Sequence, residues 1–149
     1  MTMAIAACGT AGSEGKPRPH LRFGVESDKG LWTNSSDELV RISAVDLRDL
    51  THKAAATRQD CPHAVIVVDI DVMIALDVRA ARTAMSDPAF ESSDTMVYVG
   101  TPAGLSGLIA DIYALGIADG AILRPVDDEG VLDLIHHVVI PELQTMAAA

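Results

Sequence analysis

Two carboxylates spaced two residues apart, Asp69 and Asp71, close the apolar run Ala64–Ile70 (AVIVVDI). Carboxylate oxygens are hard ligands suited to magnesium, and such a pair at the C-terminal end of a buried strand is the start of a phosphoryl-transfer site. The order continues with Thr101 after the apolar segment MVYVG and with Asp127 and Asp128 after the next strand. The same chemistry needs a cation to offset charge on the transferring group, and no lysine follows Lys53. Arg124 supplies a charge there, in a different geometry. Val72, Met73 and Ile74 also prolong the apolar run where a turn would be required. A small magnesium-dependent phosphotransfer domain built on Asp69 and Asp71 is therefore the minor alternative; otherwise the two aspartates read as turn and cap residues.

Arg124 is the first choice for a ligand contact, because it ends the strand Ala121–Leu123, on the rim where α/β enzymes place ligand-binding groups. Thr101 and Asp119 come next as cofactor-binding candidates. Each has a plainer reading: Thr101 as a helix cap, Asp119 in a turn before Gly120, Arg124 paired with Asp127 or Asp128. No catalytic residue is assigned. His136 and His137 are adjacent on a helix and point about 100° apart, so they form no metal pair, and His20, His52 and His63 stand apart from any ligand cluster. Cys8 and Cys61 match no metal spacing and imply no disulfide framework, which makes a cytoplasmic location the expectation. No Gly-x-Ser-x-Gly elbow and no phosphate-binding Gly-Lys-Ser/Thr loop occurs.

The elements that must position these residues follow from periodicity. Thr95–Val99 is a short apolar strand. Gly100, Thr101 and Pro102 then give a turn, an N-cap hydroxyl and a proline at the first helical position. Leu105, Leu108, Ile109 and Ile112 recur at the spacing of one buried helical stripe, and Gly116 falls where a left-handed cap ends the helix, near Leu115. A strand at 121–123 and a helix through Val131, Leu132, Ile135, Val138 and Val139, ending around Leu143, complete a βαβα order. Upstream, Leu21–Glu26 is a strand, Lys29–Asp37 a polar connection, and Ala44–Arg58 a helix capped by Ser43 with Asp46 in its first turn. Ala64–Ile70 followed by a helix at Leu76–Met85 makes a third β/α unit. Met1 to Pro19, rich in Ala, Gly, Ser and Pro, reads as a disordered lead-in. Residues 20–145 form one α/β domain and 146–149 a tail. This alternation implies parallel strands with crossover helices, in either a Rossmann-like sheet or part of a barrel.

The order Val-Gly-Thr-Pro, Leu-Gly, Ala-Asp-Gly, Leu-Arg-Pro and Pro-Glu-Leu across 95–144 resembles the C-terminal end of luciferase-like flavin-dependent monooxygenases. Asp77-Val78-Arg79-Ala80-Ala81-Arg82 extends the resemblance back to about residue 44. It implies the last β/α units of a TIM barrel, a flavin cofactor (FMN or a deazaflavin), and oxidoreductase chemistry of the monooxygenase type if the chain is active. The family's first six strands and catalytic histidines have no counterparts here, and a whole barrel takes roughly 250 residues against the 149 present. The expectation is a partial barrel that needs self-association, as a homodimer, or a partner chain supplying the missing strands, since an incomplete barrel exposes strand edges. The alternative within the family is a non-catalytic remnant kept for binding or assembly.

Composition bounds these readings. Eleven Lys plus Arg against 21 Asp plus Glu give a net charge of −10, without the basic face that phosphate neutralisation needs, so nucleic acid is not an expected partner. Anionic membranes are disfavoured for the same reason, and no apolar run approaches the length of a spanning helix. With 49% apolar residues but only two Phe, two Tyr and one Trp, the core must be built from Val, Ile, Leu and Ala.

Overall fold

The computed structural model describes residues 20–35, 38–75, 79, 95–125 and 129–148. The expected lead-in, the helix at Leu76–Met85, the pair Asp127 and Asp128, and Cys8 lie outside them. Six strands form one sheet: β1 (Arg22–Ser27), β2 (Gly30–Thr33), β3 (Leu39–Ile42), β4 (Val65–Ile74), β5 (Met96–Gly100) and β6 (Gly120–Pro125). The helices are α1 (Leu47–Asp60), α2 (Pro102–Ala114), α3 (Glu129–Leu134) and α4 (Ile140–Ala148). β1, β6 and β4 lie side by side and parallel, and β3 and β5 share the far edge of β4, also parallel to it. Among the described strands only β2 runs antiparallel, as a hairpin partner on the outer edge of β1.

Strand period explains the layering. Alternate residues of β4, namely Ile66, Val68, Ile70, Val72 and Ile74, enter the hydrophobic core, together with Phe23 and Val25 of β1 and Ala121 and Leu123 of β6. The helices cover this face: Leu50 and Ala54 of α1, Leu105, Ile109 and Ile112 of α2, and Val131, Ile135, Val139 and Leu143 further on all belong to the same core. Among the described residues no helix packs on the opposite face. A barrel segment carries its helices on the convex side, and the described helices all lie on one face of the sheet. The fold is α/β, a curled half-barrel of parallel strands.

Local departures from expectation have local causes. α1 starts at Leu47, because Asp46 rather than Ser43 is its cap. Asp46 accepts from the Asp49 N–H at 2.8 Å, and Asp49 in turn accepts from the Val45 N–H at 3.1 Å, a reciprocal arrangement. β4 runs on to Ile74 because its second half pairs with β5 while its first half pairs with β3. β2 lies inside the stretch read as a polar connection, and β3 is a strand that no periodic signal marked. The last helix is interrupted at Ile135–Val139, where Ile140 donates to the Ile135 carbonyl in a π turn. Pro141, next in line, has no N–H to continue the regular ladder. Cys61 is buried at the end of α1.

Asp119 shows how the open end of the sheet is tied. Its carboxylate accepts from the Ile66 N–H at 2.9 Å, its own N–H donates to the Ile66 carbonyl at 2.7 Å, and its carbonyl accepts from the Arg22 N–H at 2.8 Å. One residue thus joins β1, β4 and β6 before their ladders begin. Arg58 donates to the Gly116 carbonyl at 2.7 Å and lies 3.6 Å from Asp119, holding the turn from α2 into β6. Replacing Asp119 by Ala leaves the buried Ile66 N–H without its acceptor, and a loss of about 2 kcal/mol in unfolding free energy is expected by denaturant titration.

Candidate functional site at the C-terminal rim

The face opposite the helices begins apolar and ends charged. Val67 and Ile122 are fully buried, yet neither belongs to the helix-side core. Gly24 lies against Ile122, where a Cβ would come within 3.0 Å of the Ile122 Cδ1. Toward the C-terminal ends of the strands the same face carries Glu26 on β1, Arg41 on β3, Asp69 and Asp71 on β4, and Arg124 on β6.

These five side chains form a network. Arg41 donates through Nε to Asp69 Oδ1 at 2.8 Å, and its Nη2 and Nη1 donate to Glu26 Oε1 and Oε2 at 2.8 and 3.2 Å, a bidentate grip. Arg124 is held more loosely: its Nε lies 3.4 Å from Asp71 and 3.7 Å from Glu26, and its side chain forms no hydrogen bond among the described residues. Its side chain is 41% exposed. Arg41 is thus held by hydrogen bonds to two carboxylates, whereas Arg124 makes only longer ion pairs with two.

Hydrogen bonding to Arg41 holds the Glu26 carboxyl below the ordinary glutamate value of 4.5. A lowered folded-state value means stability that is present above the unfolded value and lost as pH falls through the folded one. Stability should therefore decline as pH drops below about 4.5, and Glu26→Gln should flatten that part of the curve in a pH series of urea melts.

The three residues nominated from sequence do not come together. Arg124 stands on the C-terminal rim. Thr101 follows β5 at that same end of the sheet, where its hydroxyl accepts from the Gly104 N–H at 3.2 Å and caps α2. Asp119 precedes β6 at the opposite end. Asp69 and Asp71 lie within β4, not in a turn, and both face the network. A guanidinium already sits against Asp69, where a magnesium ion would have to bind, and the described residues contain no group of three His, Cys, Asp or Glu suited to a metal. Glu26 and Arg41 were not singled out by sequence reading. The signal for Glu26 was its place at the end of a parallel strand; Arg41 had none, because β3 itself was not recognised. The histidines His136 and His137 are exposed beside the π turn, where His137 Nδ1 meets the Asp133 carbonyl at 2.9 Å.

Comparison with known proteins places the fold. No protein-family model and no curated protein matches the sequence. Among solved structures the chain is similar to the long-chain alkane monooxygenase LadA, with a TM-score of 0.55 and 15% identity, covering 72% of this chain and 36% of that one. It is also similar to the EDTA monooxygenase EmoA from Chelativorans sp. BNC1, with a TM-score of 0.57 and 13% identity over 72% of this chain and 39% of that one. The chain thus spans under two fifths of the length of either. At these identities the likeness shows the fold alone, of the TIM-barrel type, for the part in common. No helix among the described residues is long and apolar enough to cross a membrane.

Proposed function

We propose that this chain is a relative of the luciferase-like flavin-dependent monooxygenases, that it meets its ligand at the C-terminal rim, and that FMN or a deazaflavin is its cofactor. The structural likeness to two monooxygenases over 72% of the chain carries this reading. Of the three nominated residues, Arg124 fits a cofactor best, since its guanidinium keeps donors for an anionic group, while the Thr101 hydroxyl and the Asp119 carboxylate serve the backbone. A flavin bound there would supply the oxygen chemistry; the chain would supply orientation and an enclosed surface. Oxidoreductase activity would require self-association or a partner chain that adds the missing strands. A cytoplasmic setting belongs to this reading.

A second reading, a non-catalytic relative kept for binding or assembly, is favoured by one feature. β2 pairs antiparallel along the outer edge of β1, where the next parallel strand of a barrel would have to add. Light scattering with and without FMN, coupled to oxygen uptake after flavin reduction, separates the two. An FMN-bearing assembly that consumes oxygen is expected of the first; a stable species that neither retains FMN nor consumes oxygen would leave the second.

A further inference from the structure

We propose that Arg41 and Glu26 form an ionic clasp that holds the half-barrel curled across its concave face. The two residues belong to β3 and β1, which are separated in the sheet by β4 and β6. In a flat sheet that is three strand spacings, roughly 14 Å sideways. Register adds a lengthwise offset: Arg41 aligns with Val67, Val67 with Gly120, and Gly120 with Arg22, so Glu26 lies four residues further along β1, roughly another 13 Å. Two extended side chains cannot span that diagonal on a flat surface. They meet at 2.8 Å through two parallel hydrogen bonds, so the sheet must bend and coil toward them, and the bond links its two flanks. Asp69, on the strand next to β3, accepts from Arg41 Nε and anchors the guanidinium.

Both side chains are partly exposed, and it is their surroundings that make the pair a closure. Glu26 is faced by Arg41 from β3 and Arg124 from β6, with Asp69 and Asp71 of β4 beneath; removing the Arg41 bond leaves it only the 3.7 Å contact to Arg124. Breaking the clasp frees β3, a four-residue strand whose only sheet neighbour among the described residues is the first half of β4. The rim would then widen from the β3 side.

Glu26→Gln tests this while leaving the Arg41–Asp69 bond intact. Amide hydrogen exchange is compared between the native chain and the variant, and the native chain is also measured at low salt and at roughly 1 M salt, which screens an exposed pair. The clasp predicts that exchange at Leu39–Ile42 of β3 and at the C-terminal end of β1 rises together, on the order of tenfold, in the variant and in the native chain at high salt, while α2 and β5 are unchanged. Unchanged exchange in β3 under both conditions would overturn it. If the variant does not fold, the salt series on the native chain decides: a joint rise in β1 and β3 supports the clasp, and its absence removes it.

Discussion

Gly120→Ala should unfold this protein or cost it at least about 3 kcal/mol, the largest effect expected of a methyl group added at any of the described glycines. A Cβ built on Gly120 would lie 1.6 Å from the Arg22 carbonyl oxygen and 2.5 Å from its carbon. Both are backbone atoms, so no side-chain rotation relieves the overlap. Gly120 does not have a positive φ; among the described residues those glycines are Gly30 and Gly116, and the requirement at 120 is for space. The contact matters because Gly120 opens β6 and pairs with Arg22 of β1 on one side and Val67 of β4 on the other. A methyl group there would pry apart the junction where the first and last parallel strands meet, beside the Asp119 tie. Chemical denaturation of the variant, or its failure to give a cooperative transition, reads the result. A stability within about 1 kcal/mol of the parent would show that the strands do not approach as described.

Arg41→Met ranks second. The substitution keeps much of the apolar stem and removes the guanidinium, leaving the Asp69 carboxylate, whose side chain is only 12% exposed, without its nearest cation. Breaking one partner of a buried pair is more costly than never having built it, because the remaining charge stays desolvated. Arg41 is itself partly open to solvent, with 29% of its side chain exposed, so the loss should fall at about 2 to 3 kcal/mol, the lower end for such pairs. Adding Asp69→Asn removes the stranded charge and should recover a substantial part. The two substitutions measured singly and together form a double-mutant cycle, and additive losses would refute the coupling.

Much of this architecture was readable in the residues. Thr101, Pro102 and Gly116 bound α2 as their chemistry requires, and all but the first residue of the run at 64–70 lies inside a buried parallel strand. What stayed hidden was of two kinds. β2 and β3 are four residues each, too short for a period of two to register, and Arg41 was concealed with β3. The charged network was hidden for a different reason. Asp69 and Asp71 looked like turn residues because carboxylates are rarely placed inside a buried strand, and only the pairing of distant strands reveals the guanidinium that makes Asp69 tolerable there. Asp119 and Arg124 were noticed through their positions at strand ends, yet five residues of extended chain set them at opposite ends of the sheet, and no local pattern reports which end faces a ligand.

The central claim, that the rim beside Arg124 receives a flavin, is tested most directly by titrating FMN with the purified chain and with Arg124→Met, following quenching of flavin fluorescence. Saturable binding by the parent, weakened about tenfold in the variant as expected for loss of one charge-assisted contact, is the predicted result. Absence of binding by the parent, or equal affinity in both chains, would contradict the assignment of the rim as a flavin site held by Arg124.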